Sequence, residues 1–168
     1  MAKGLVLLAA VTHPWPGKAI TWYYHPASHP LFGEAFARLL GVPLGRAALE
    51  GAVASVFSPQ APPPNYAETA QIRLVLRPET FEANAQDVAA TYDFVEGQAP
   101  RYGELAMPVL AIAGEADEIV WARIHSVGIA REAQAGRLMW LPGVGHMPHH
   151  IVPDLIAGET LKIAEGLR

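Results

Sequence analysis

Apolar residues run without a break from Gly4 to Val11, as expected of a parallel strand covered on both faces. Thr12-His13-Pro14-Trp15-Pro16-Gly17 ends that run. Two later runs carry the same signature. Pro108-Val109-Leu110-Ala111-Ile112-Ala113 breaks into Gly114-Glu115-Ala116-Asp117, and Leu138-Met139-Trp140-Leu141 breaks into Pro142-Gly143-Val144-Gly145-His146-Met147. The residues between the first and second runs show helical periodicity. A short helix is predicted over 19–24, another over 30–40 with Pro30 in its first turn and Gly41 just past its end, and a third over 44–57. Four prolines make 58–65 a loop. Residues 66–76 read as a short helix, although Ile72, Leu74 and Leu76 also allow a strand. The strongest helical pattern begins at Pro78 and runs to about Gln98, where Phe81, Val88, Tyr92 and Val95 share one face. Helices over 121–135 and 153–167 complete the order strand, helical insert, strand, helix, strand, helix. The boundaries expected are 1–17 for the first core strand and entry loop, 18–104 for a helical cap, and 105–168 for the C-terminal core.

Composition narrows the possibilities. At 168 residues, 51% of them hydrophobic and 17% charged, the chain is one ordinary domain or slightly more, with enough apolar side chains for a core. A net charge of -4 offers no basic stripe for nucleic acid. No uninterrupted apolar run approaches the roughly 18 residues of a membrane span, and Met1-Ala2-Lys3 is a poor start for a signal peptide. The absence of cysteine excludes disulfides, thiolate nucleophiles and sulfur metal ligands. A cytoplasmic protein is the expectation, with partners that include neither nucleic acid nor membrane.

The chemistry concentrates after the last two strands. Asp117 follows one and His146 the next, and open α/β sheets do their chemistry at the carboxyl ends of parallel strands. A carboxylate within reach of one imidazole nitrogen leaves the other free to act as a general base. The competing reading makes Asp117 a helix cap and His146 an ordinary loop residue. Gly-Glu-x-Asp followed by Gly-x-Gly-His-Met, with the histidine last, resembles the C-terminal portion of the α/β-hydrolase superfamily. That resemblance implies a partial α/β-hydrolase fold: a short parallel sheet of about three strands, flanking helices and a mostly helical cap. It also implies hydrolysis of a carboxylic ester, with Asp117 and His146 as triad members and no cofactor.

The family's nucleophile elbow, G-x-S-x-G, has no counterpart here. None of Ser28, Ser55, Ser58 and Ser126 lies between glycines after an apolar strand. Glu115 and Glu118 are alternative acids, read more simply as solvated loop carboxylates. Trp15, Trp22 and Met147 are candidate walls of an apolar site for a small ester, although these aromatics equally suit packing of the cap. Trp121 and Trp140 read as core or cap-facing aromatics. His146, His149 and His150 also suggest a metal cluster, but Pro148 interrupts the spacing and no acidic ligand adjoins it. His13, His25 and His29 are candidates to line a pocket but are expected at the surface, and His125 is expected to be incidental. The resemblance places 4–11 at a sheet edge, which predicts self-association along it. Three readings therefore compete: a weakly active hydrolase completed by self-association, a truncated and non-catalytic oligomerising fragment, and a metal-binding histidine cluster.

Overall fold

Six of the seven residues of the central strand are buried, so the sheet is built around an element with no polar face. The computed structural model describes residues 2–166. In chain order its main elements are β1 (Leu5–Leu8), α1 (Gly33–Phe57), α2 (Pro78–Gln98), β2 (Pro108–Gly114), α3 (His125–Glu132), β3 (Ala135–Leu141), α4 (Pro148–Ile151) and α5 (Pro153–Gly166). Short helical turns lie at Pro16–Lys18, Tyr24–Ala27, Tyr66–Thr69, Ile72–Leu76 and Ala99–Glu104. The sheet is parallel in the order β1-β2-β3, as the three apolar runs predict.

Alternation along β2 divides the core into two layers. Val109 and Ala111 pack with Leu5 and Leu7 of β1, Tyr102 and Ile129 of α3. Leu110 and Ile112 face the other way and pack with Val6 and Leu8 of β1, Leu141 of β3 and Ile156 of α5. On β3, Arg137 donates to Glu159 of α5 at 2.9 Å, and Lys162 meets the same carboxylate at 2.6 Å. Those two cations hold the Glu159 carboxyl below its ordinary range, the Lys162 bond being the larger cause.

β1 is shorter than the apolar run that encodes it. Ala9 adopts φ +44°, a left-handed conformation that turns the chain out of the strand after Leu8. The outer edge of β1 has no strand partner among the described residues.

The chain divides into two units. The core unit takes the residues up to Pro14, Val56–Gln60, and those from Val95 onward; the second takes Trp15–Ser55 and Ala61–Phe94. Residues 56–60 and 95–104, which the sequence assigns to the cap, thus belong with the core. Phe57 is 1% exposed, and Ala99 and Tyr102 lie in the core cluster beside Val109.

Several element boundaries differ from expectation, each for a local reason. Gly41 does not end a helix. The chain makes one wide turn at Ala37–Gly41, where the Val42 N–H reaches the Ala37 carbonyl, and α1 continues to Phe57. Pro43 follows this turn and has no N–H to satisfy, so the helix absorbs it there. Gly41 serves close packing instead, because a Cβ there would lie 2.6 Å from the Phe81 ring. The continuous α1 is 25 residues long and contains an 18-residue stretch of mean hydropathy 1.3, long and apolar enough to cross a membrane by length and composition alone. The sequence did not suggest such a stretch because Glu34, Arg38, Arg46 and Glu50 interrupt the apolar run. The helix expected over 19–24 lies later, at Tyr24–Ala27. Residues 66–76 form two helical turns divided at Gln71, whose φ is +51°. The helix expected over 121–135 is only His125–Glu132, because β3 already begins at Ala135.

His125 and His13 are not surface residues. His125 is 4% exposed, and its Nδ1 accepts the backbone N–H groups of Thr12 at 3.3 Å and His13 at 3.2 Å. The Thr12 hydroxyl donates to the His125 carbonyl at 2.8 Å, and the Tyr102 hydroxyl donates to the Thr12 carbonyl at 2.7 Å. His13 stacks edge-on to Tyr102, and its Nε2 lies 3.2 Å from Glu132. This polar clasp ties the loop after β1 to α3. An imidazole that accepts two N–H groups at Nδ1 must be neutral there. Burial pushes the His125 pKa below its ordinary value, repulsion from His13 adds to this, and Asp117 opposes it.

In the unfolded chain His125 takes up its proton at the ordinary value, about 6.5, before the folded chain does. Stability is therefore complete above that pH and declines as the pH falls through the lower folded value. Urea unfolding at pH 7.5, 6.5 and 5.5 is expected to show a falling midpoint, and His125→Gln to flatten the fall. His149 is also held below its ordinary value, by desolvation first, but it is exposed and contributes little. An unchanged pH slope in His125→Gln would exclude the clasp as its origin.

Candidate active site

The register of β2 on β3 pairs Gly114 with Leu141, so both strands end level and their loops leave from the same edge. Two backbone hydrogen bonds then lace the loops together. Glu115 N–H donates to the Leu141 carbonyl and Ala116 N–H to the Val144 carbonyl, both at 2.9 Å. Gly114 has to be glycine, because a Cβ there would collide with the carbonyls of Val144 and Gly145. Past Pro142, Gly143 at φ +68° turns the second loop back toward the first.

These constraints bring Asp117 and His146 together. His146 Nδ1 lies 2.9 Å from Asp117 Oδ2, and the Asp117 side chain is 1% exposed against 22% for His146. Asp117 Oδ1 accepts the N–H groups of Ile119 and Val120, each at 2.9 Å. Asp117 thus pairs with His146 through one oxygen and braces its own loop through the other; it does not cap a helix, because α3 begins only at His125. Two N–H bonds fix the carboxylate plane, so the second oxygen presents an acceptor in a set direction. A carboxylate accepts only, which makes Nδ1 the protonated nitrogen and leaves the Nε2 lone pair for chemistry. Nε2 makes no hydrogen bond among the described residues. The arrangement can take a proton at Nε2 and hold the resulting imidazolium against a buried carboxylate.

The fold, taken apart from the site, is found among solved structures. An α/β-hydrolase enzyme, MGS-M2, from a Medee basin deep-sea metagenome library superposes with TM-score 0.62 at 16% identity, over 97% of this chain and 56% of that one. The 2-hydroxy-6-oxo-6-phenylhexa-2,4-dienoate hydrolase of Rhodococcus sp. strain RHA1 gives TM-score 0.62 at 16% identity, over 97% and 55%. A thermophilic esterase from Thermogutta terrifontis gives TM-score 0.62 at 15% identity, over 98% and 56%. The fold is a partial α/β-hydrolase fold. The chain spans just over half the length of these structures. The sequence matches no protein-family model and no curated protein.

Within this α/β-hydrolase frame the remaining candidates separate. Glu118 is an exposed loop residue, and Glu115, also exposed, accepts the Gly143 N–H at 3.4 Å. Met147 follows His146 and precedes α4. Trp15 and Trp22 belong to the second unit. There the Trp15 indole N–H donates to the Ala19 carbonyl and its ring meets Tyr92 edge-on, while Trp22 is 64% exposed beside Tyr23 and Phe36. Trp121, expected in a core or under a cap, is 57% exposed. With Glu115, Asp117, Arg123 and Trp140 it lines a cavity of about 230 Å³ on the acid side of the pair.

The geometry does not favour the metal reading of the histidines. Among the described residues no three histidine or acidic side chains are arranged to hold an ion. Pro148 starts α4, so His149 and His150 lie on a separate turn, their rings 4.5 Å apart and exposed, with His150 packed on Phe57. No serine hydroxyl hydrogen-bonds to His146 among the described residues. Ser28 bonds the His25 carbonyl, Ser55 lies in α1, Ser126 is buried in α3, and Ser58 precedes a cis proline. One participant escaped the sequence reading altogether. Gln60 bonds the histidine loop through both ends of its amide, and a glutamine in a proline-rich loop carries no periodic signal.

Gly114→Ala is expected to force the two loops apart and cost about 1–3 kcal/mol of unfolding free energy, as overpacking does. Chemical denaturation measures this; a variant as stable as wild type would show that the loops do not need the close approach.

Proposed function

We propose that this chain carries the acid and histidine of a carboxylic ester hydrolase, with His146 as general base and then general acid and Asp117 as its orienting partner. The observation that carries this reading is the 2.9 Å contact between His146 Nδ1 and a buried carboxylate whose other oxygen is already saturated by two N–H groups. In the proposed step, Nε2 removes the proton of a water molecule, or of a hydroxyl supplied from outside these 168 residues, as its oxygen attacks the ester carbonyl. The tetrahedral intermediate then collapses, and the same proton passes from His146 to the departing alkoxide. Attack by water leaves acid and alcohol, whereas attack by a hydroxyl leaves alcohol and an acyl ester, which a water activated by His146 in the same way then cleaves to the acid and the restored hydroxyl. Asp117 stays ionised throughout and stabilises the imidazolium. Similar folds in an esterase and in a hydrolase of a 2-hydroxy-6-oxo acid support acyl chemistry as the reaction class.

The family's elbow, whose backbone N–H would help hold the developing oxyanion, has no counterpart in this sequence, and such a donor is worth about 3–4 kcal/mol in enzymes that have it. Turnover by this chain is accordingly expected to be slow. We further propose that a second copy pairs along the outer edge of β1, where Leu5–Leu8 have no strand neighbour among the described residues.

Hydrolysis of p-nitrophenyl esters by wild type, His146→Ala and Asp117→Asn, with light scattering on each, tests both parts. Turnover is expected to fall about 100-fold or more in His146→Ala and substantially in Asp117→Asn, as loss of a general base does. Scattering is expected to give at least twice the 18.0 kDa chain mass. Equal turnover by wild type and His146→Ala contradicts the catalytic reading, and a monomer contradicts the edge pairing.

A further inference from the structure

Five residues, Val56–Gln60, belong to the core unit although the chain on either side of them belongs to the second. They pack on the loop that carries His146. The Gln60 side chain makes two hydrogen bonds to that loop's backbone: Nε2 donates to the Gly143 carbonyl at 2.6 Å, and Oε1 accepts the Gly145 N–H at 3.0 Å. A carboxamide holds a donor and an acceptor side by side in one plane, so two such bonds fix the direction of the chain as well as its distance. Gly145 immediately precedes His146. Its lack of a side chain lets the segment approach, because a Cβ there would collide with the Ser58 carbonyl. Phe57, fully buried, anchors the segment, with its ring 5.2 Å from that of His150. The histidine loop is thus gripped twice, by Glu115 and Ala116 on the β2 side and by Gln60 on the other.

We propose that Gln60 is a positioning residue for His146: its amide clamps Gly143 and Gly145 and so sets where the imidazole meets Asp117. The inference rests on the Asp117–His146 reading and adds to it a residue that touches neither side chain through any hydrogen bond. Its leverage is geometric, since displacing a reacting group by about 1 Å costs on the order of 100-fold in rate.

Proton NMR on the whole chain tests the clamp with two readouts. The first is hydrogen exchange of the Gly145 amide. The second is the water-exchange rate of the far-downfield ring proton that a histidine Nδ1–H shows when a carboxylate holds it, assigned by its loss in His146→Ala. Gln60→Met keeps the side-chain length and removes both bonds. While the β2 amides remain protected, Gln60→Met is expected to speed exchange at both positions by about tenfold, the scale set by losing one or two partly buried hydrogen bonds. Gln60→Glu keeps the acceptor for Gly145 and is expected to restore most of the Gly145 protection. It also serves as the test variant should Gln60→Met fail to fold, with only the Gly143 bond lost and the ring proton exchanging faster than in wild type. Gly145 exchange that is equally fast in wild type and Gln60→Met overturns the clamp. Faster Gly145 exchange with an unchanged ring proton makes Gln60 structural only and overturns its positioning role. Gln60→Glu exchanging like Gln60→Met at Gly145 overturns the bond assignment. A wild-type chain with no downfield ring proton contradicts the Asp117–His146 pair itself and the positioning role with it, an outcome distinct from a signal that is present but indifferent to Gln60.

Discussion

Parallel pairing of β2 with β3, with Gly114 level with Leu141, is the constraint on which everything else in the core unit depends. Because the two strands stop at one edge, their loops can be joined by two backbone hydrogen bonds within three residues of the strand ends. Because Gly114 carries no side chain, the loops can touch. A shift of one residue in that register would turn every side chain of β3 to the opposite face and leave Leu141 outside the layer it shares with Leu110, Ile112 and Ile156. The burial pattern therefore sets the position of the chemistry: six buried residues of β2 fix the register, and the register fixes the acid and the imidazole.

The parts of this arrangement written locally were legible in the sequence. Three apolar runs gave three parallel strands, and Pro78 with its helical stripe gave a helix ending at Gln98 as expected. Asp117 and His146 stood out because turn residues followed a strand in each case, and the structure brings them into hydrogen-bond contact. The boundaries that shifted depend on backbone conformations that composition does not announce. Ala9 takes up a left-handed φ although alanine has no preference for it, and Gly41 looks like a helix terminator while serving as a contact for Phe81.

Polar residues with non-local partners were the least legible. His125 lies 113 residues from Thr12, and Gln60 lies 85 from Gly145. Neither has a neighbour in sequence that hints at its partner. Both do a similar job, satisfying backbone groups of a loop that leaves a strand end, and a buried or partly buried backbone N–H without such a partner is costly. The three adjacent histidines pointed the other way. Their closeness in sequence suggested a ligand set, yet Pro148 divides them between a loop and a helical turn, so only His146 meets the buried acid.

The account stands on one contact, and a double-mutant cycle on unfolding free energy addresses it directly. Asp117→Asn, His146→Ala and the double variant are compared with wild type at pH 7.5. A hydrogen bond to a buried carboxylate predicts a coupling energy of about 1 kcal/mol or more. Effects that add to within about 0.3 kcal/mol would mean that the two side chains do not interact, and would contradict the site described here.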